Sequence, residues 1–124
     1  QEFPRIDERR FGQSYRHAWI VSQPSEIISN FVAENVLYHH DLETGEKRSY
    51  TFGPDLVGGE FVFIPRAPDA EEADGWLMGL VIDAKNDTTQ LQFFEALNIE
   101  QGPIGAVHIS HRIPPGFHGN WIPD

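Results

Sequence analysis

The stretch WLMGLVID at residues 76–83, followed by KNDT at 85–88 and TQLQFFEA at 89–96, decides the fold class. Short runs in period two, rich in β-branched and aromatic residues, dominate it, and apolar residues do not recur at three and four over the length of a helix. Asn86 and Asp87 tolerate a left-handed backbone, so the residues between the two runs predict a turn and the whole predicts a β-hairpin. A second hairpin of the same rhythm joins VLYHHDL at 36–42 to RSYTF at 48–52 through Glu43-Thr44-Gly45-Glu46, where Gly45 supplies the left-handed residue.

Working outward, strands are expected at 61–65 and 104–110 around the first hairpin, and at 2–7 and 18–23 before the second. The chain is therefore read as all-β, with two four-stranded meanders: blade-like units at about 2–57 and 60–111 and a closing segment at 112–124. A four-stranded sheet that recurs along a chain is the sequence signature of a β-propeller. Glu2-Phe3 and Glu60-Phe61 stand 58 positions apart, and the same step from Glu60 reaches His118. The first strand of a propeller blade lines the central channel, so Glu2, Glu60 and His118 are expected to converge, with an accidental period as the competing reading.

The 124 residues allow one domain at most, and 40% apolar with 12% aromatic residues is enough for a packed core. Nineteen acidic against nine basic side chains give a net charge of −10, which repels phosphate backbones and argues against nucleic acid as a partner. The absence of cysteine excludes thiolate metal sites, disulfides and cysteine nucleophiles, and it is compatible with a cytoplasmic location. No apolar run approaches the roughly 20 residues of a spanning helix. Gln1, with no basic or apolar leader after it, reads as an internal position of a longer polypeptide.

His118 lies between Gly116 and Gly119, a setting that suggests close backbone approach or positive φ and suits a metal ligand. Axial carboxylates need a cationic or hydrogen-bonding reason to be buried. Glu2 and Glu60 could accept the free N–H of ligating imidazoles or could ligate directly, and spacing does not separate the two. The competing readings are a solvated turn-end carboxylate for Glu60 and a frayed first strand for Glu2. His39 and His40 are adjacent on a strand and point to opposite faces, so they do not chelate one ion, and edge or surface positions account for His17, His108 and His111. Asp69, Glu71, Glu72 and Asp74 read as a solvated loop without calcium-loop spacing. No Walker loop or nucleophile elbow is present.

Taken in order, Glu2-Phe3-Pro4-Arg5-Ile6-Asp7, Tyr15-Arg16, Asp41-Leu42-Glu43-Thr44-Gly45, Gly58-Gly59-Glu60, Phe63-Ile64-Pro65-Arg66, Asp74-Gly75-Trp76-Leu77 and Gly116-Phe117-His118-Gly119 resemble the carotenoid cleavage oxygenase family over essentially the whole chain. The wording is nearest to bacterial lignostilbene dioxygenases. The resemblance implies about two four-stranded blades of a seven-bladed β-propeller with Fe(II) on its axis, held by four histidines, three of them hydrogen-bonded to glutamates. On that resemblance His118 corresponds to the last iron-ligating histidine, and Glu2 and Glu60 to two of the glutamates. The other ligands are expected upstream of Gln1, and the segment requires them to act. Phe117 is expected to line the substrate pocket, with simple packing as its competing role. The implied activity is cleavage of a small hydrophobic or phenolic alkene, a stilbenoid, carotenoid or apocarotenoid, by O2 to carbonyl products. Isomerase chemistry on the same site and a non-catalytic interaction module are the alternatives. Membrane association, which some members show, is not supported by this segment.

Overall fold

The computed structural model describes residues 2–22 and 35–122. The described residues form eight strands in two antiparallel sheets, each a simple meander. The first sheet holds β1 (Glu2–Ile6), β2 (His17–Ser22), β3 (Val36–Asp41) and β4 (Lys47–Thr51). The second holds β5 (Leu56–Pro65), β6 (Gly75–Asp83), β7 (Thr88–Glu95) and β8 (Gly105–Ile109). Position 23, expected at the end of the second strand, lies outside the described residues.

Both hairpin turns follow from the residue types that mark them. Gly45 takes φ +76° and Asp87 takes φ +54°. Asp83 Oδ1 accepts the backbone N–H groups of Lys85 and Asn86, and Asp41 Oδ1 accepts those of Glu43 and Thr44, so each turn is closed by the aspartate that ends the preceding strand.

One expectation fails in an informative way. Glu60 does not open a strand; β5 begins at Leu56, so Glu60 stands in the middle of a ten-residue strand. The cause is a β-bulge. Gly58 pairs with Val81 and Phe61 with Gly79, so Gly59 and Glu60 together oppose Leu80. β1 carries the matching irregularity, in which Phe3 and Pro4 together oppose Ile20. The bulges lie 56 residues apart, so the interval of 58 between the two glutamates does not mark equivalent register positions.

The sheets meet through their alternate, core-facing residues. Trp19, Val21 and Leu37 of the first pack against Phe61, Phe63, Leu77, Val81 and Phe94 of the second. The Trp19 and Phe63 rings stack with centroids 5.2 Å apart and planes within 4°, and Phe52 lies against both Phe61 and Phe94. The Trp19 indole N–H is satisfied by the carbonyl of Ala96 at 2.9 Å. Burying each large side chain contributes about 1.5–3 kcal/mol, against about 0–1 kcal/mol for an exposed ion pair, so this seam rather than the many surface salt bridges holds the sheets together.

Buried polar groups finish the junction. Asn35 Oδ1 accepts the N–H of Gly58, and its carbonyl accepts that of Phe52. Arg9 donates to Asp7 and to the carbonyls of Pro68 and Ala70, and Glu72 Oε1 accepts the N–H groups of Arg16 and His17. The acidic loop is therefore not simply solvated: Glu72 is an acceptor that the first sheet uses.

Close packing makes two glycines obligatory. A Cβ on Gly75 would stand 2.1 Å from the carbonyl oxygen of Ile64, and one on Gly79 would meet Phe61 and the carbonyl of Glu60 at 2.6 and 2.7 Å. At Gly53 a Cβ meets nothing within 4 Å. Gly75→Ala is expected to lower stability by about 1–3 kcal/mol in urea denaturation, because the backbone of β5 must move, whereas Gly53→Ala leaves the midpoint unchanged or slightly raised.

Candidate functional site

The bulge in β5 re-aims one side chain. Core-facing Gly58 and Phe61 are separated by two residues instead of one, and Glu60 joins Val62 on the strand face opposite Phe61. Its carboxylate is nearly covered, with the side chain 7% exposed, and it is fully engaged. Oε1 accepts Arg5 Nε at 2.8 Å and lies 3.1 Å from His118 Nδ1, and Oε2 accepts the backbone N–H of Gly119 at 2.7 Å. Burial pushes the Glu60 carboxyl up, but the hydrogen bonds from Arg5, Gly119 and His118 and the charge of Arg5 outweigh it and hold the group below its ordinary 4.5.

An ionised carboxylate only accepts, so the contact with His118 places the imidazole proton on Nδ1 and leaves the Nε2 lone pair free. The other side of the ring meets the bulge of β1. Phe3, held at the left-handed φ of +53°, presents its ring edge-on to His118 with centroids 5.8 Å apart. A non-glycine residue in that region costs on the order of 1–3 kcal/mol and marks a position fixed by its surroundings. Bulges from two sheets thus converge on one imidazole.

Of the three residues expected to meet, Glu60 and His118 are in contact. Glu2 is next to Phe3, but its side chain is exposed and makes no hydrogen bond among the described residues. The flanking glycines do not play the part expected of them. Neither takes a positive φ, and a Cβ at Gly116 or Gly119 would meet nothing within 4 Å. What matters at Gly119 is its peptide, whose N–H binds Glu60 and whose C=O accepts Arg5.

Beside the Glu60–His118 pair lies a cavity of about 280 Å³ walled by Val62, Met78, Leu80, Leu91 and Phe117. Val62 pairs with Met78 and Leu80 with Leu91, so strand alternation puts all four strand residues on one face. Phe117 stands at the wall and is 80% exposed. The four strand residues went unremarked in the sequence, although their alternation with core residues is the signal that finds them. Arg5 went unremarked because an arginine in an edge strand looks like a solvated one.

The family model described as retinal pigment epithelial membrane protein, RPE65, matches residues 1–123. The chain belongs to the carotenoid oxygenase family. It is 36% identical to lignostilbene-alpha,beta-dioxygenase isozyme III of Sphingomonas paucimobilis over 97% of its own length and 26% of that protein. Among solved structures it superimposes on the lignostilbene dioxygenase of Pseudomonas brassicacearum with a TM-score of 0.86 at 31% identity, covering 99% of this chain and 27% of that one. It also superimposes on the cobalt-substituted apocarotenoid oxygenase of Synechocystis with a TM-score of 0.84 at 29% identity, over 98% and 25%. The two sheets are two blades of the carotenoid oxygenase propeller. The chain spans about a quarter of the length of these relatives.

The donor chemistry of this carotenoid oxygenase segment fits a metal ligand at His118: Nδ1 is bound to a carboxylate, and Nε2 has no hydrogen-bond partner among the described residues. It does not amount to a complete centre. No three His, Cys, Asp or Glu side chains gather among the described residues.

The remaining histidines are mostly structural. His39 is 3% exposed and stacks between His17 and Trp19. His17, expected at an edge, instead belongs to β2 and places Nδ1 3.0 Å from His39 Nε2, because the Glu72 loop covers that end of the strand. Burial, then the charges of His17 and Arg48, depress the His39 imidazole to about 4, and a proton added at its Nδ1 would have no acceptor. Between pH 6.5 and about 4 the unfolded chain therefore binds a proton that the folded chain refuses, and stability falls as pH falls. The loss is about 3 kcal/mol across that window. Asp41, held low by Arg16, adds its own loss only below the ordinary carboxylate range. His39→Phe, which keeps an aromatic ring against Trp19 but cannot titrate, is expected to flatten the pH dependence of the urea midpoint above pH 4.

Proposed function

We propose that the chain is part of a non-haem Fe(II) dioxygenase that cleaves a carbon–carbon double bond of a stilbenoid, carotenoid or apocarotenoid with O2 to give carbonyl products. The observation that carries this reading is the imidazole of His118, held through Nδ1 by a buried carboxylate with Nε2 free beside an apolar cavity. The relatives, a lignostilbene dioxygenase and an apocarotenoid oxygenase, supply the chemical class. When bound, the iron supplies a site at which O2 can be activated next to an electron-rich alkene.

The chain's own contribution is positional. Glu60 fixes the His118 tautomer and raises the basicity of Nε2, and its negative charge offsets that of a divalent cation held by neutral imidazoles. Glu2 is proposed to do the same for a ligating histidine outside the described residues; its place one residue before Phe3 supports this. Met78, Leu80, Leu91 and Phe117 form an apolar wall suited to a hydrophobic or phenolic alkene. A cytoplasmic location is part of the proposal and rests on the cysteine-free composition. Among the described residues no helix is long and apolar enough to cross a membrane.

In the complete polypeptide, His118→Ala is expected to remove bound iron and lower cleavage by at least about two orders of magnitude. Metal analysis of the purified variant checks it, and full iron occupancy would remove His118 from the ligand set. Cleavage under 18O2 should label the carbonyl products; an unlabelled product with an isomerised double bond would instead favour isomerase chemistry.

A further inference from the structure

Arg5 is the least expected member of the site. It lies on β1, immediately after the bulge that carries Phe3, yet it donates to three separate groups. Nε binds Glu60 Oε1 of the second sheet at 2.8 Å, one terminal nitrogen binds Glu8 Oε1 at 2.6 Å, and the other binds the carbonyl of Gly119 in the closing segment at 2.5 Å. Glu8 in turn accepts Asn120 Nδ2 at 3.2 Å through its second oxygen. The side chains of Arg5 and Glu60 are 16% and 7% exposed, so the pair is shielded from water in a way that the surface ion pairs are not.

These contacts form a closed loop: Arg5 of the first sheet to Glu60, Glu60 to the peptide of Gly119, and Gly119 back to Arg5, with Asn120 bound to Glu8 in the turn that follows β1. Arg5 and His118 share one oxygen of Glu60, so the direction from which Arg5 approaches sets the plane of the carboxylate and hence the bearing of the His118 ring. Only the fork of a guanidinium can reach all three acceptors; an ammonium carries the same charge on a single nitrogen.

We propose that Arg5 is a positioning residue for the metal site, acting through Glu60 to fix the orientation of His118. The inference rests on the proposed ligand role of His118. Loss of the guanidinium frees the carboxylate to rotate about its side chain, and the Nδ1–H of His118 loses its fixed acceptor.

The test uses the complete polypeptide loaded with Co(II), whose visible absorption reports ligand geometry without turnover. Arg5→Gln is expected to weaken Co(II) binding about tenfold, within the range seen for partners of metal-bound histidine, and to shift the absorption band. Arg5→Lys should recover only part of both. In a double-mutant cycle with Glu60→Gln, the combined loss should fall short of the sum of the single losses, because Arg5 acts on His118 chiefly through that carboxylate. Should Arg5→Gln not fold, Arg5→Lys carries the same test. Wild-type affinity and spectrum in the Arg5 variants, or losses that add to that of Glu60→Gln, would overturn the proposal. His118→Ala separates this from failure of the parent reading: undiminished metal in that variant removes the metal role of His118, whereas metal loss there with none in the Arg5 variants removes only the role of Arg5.

Discussion

A single carboxylate, that of Glu60, organises the end of this molecule. It is buried where an unpaired charge would be expensive, and it stays ionised because a guanidinium, a peptide N–H and an imidazole all point at it. Those donors come from the first sheet, and from two neighbouring residues of a segment with no regular secondary structure of its own. None of the three could be placed without the other two elements, so the geometry of the imidazole is a property of the assembled sheets.

What brings the pieces to that point is strand irregularity set against a rigid background. The stacked rings of Trp19 and Phe63 join the two sheets, and Gly75 and Gly79 let β6 lie close against β5. Within that frame each opening strand carries one extra residue. In β5 the extra residue turns Glu60 to the cavity side; in β1 it forces Phe3 into a strained backbone and its ring against His118. A regular β5 would keep strict alternation through this stretch, and Glu60 would lose its bearing.

The strands, both hairpins and the sheet order could be read from residue type, because alternation and turn chemistry are local. Asp87 and Gly45 turn where their tolerance of positive φ says they should. The pairing of Glu60 with His118 was legible as well, though through an interval that the two bulges show to be fortuitous for Glu2. Register offsets of one residue are set by tertiary packing and leave no mark in a repeat length. For the same reason the bond from the His17 N–H to Glu72 and the bridging by Arg5 were out of reach: each depends on a loop or strand more than 50 positions away.

The segment that bears His118 is attached chiefly by polar bonds to its backbone and to Asn120, while Phe117 and Ile122 remain largely uncovered in this chain. Its grip is therefore electrostatic and short, unlike the aromatic seam that joins the blades. Such an attachment can let go as a unit at a free energy well below that of global unfolding. Release of the segment that carries His118 and melting of the two sheets would then be separate events, and the sheets could stay intact while the imidazole leaves its carboxylate.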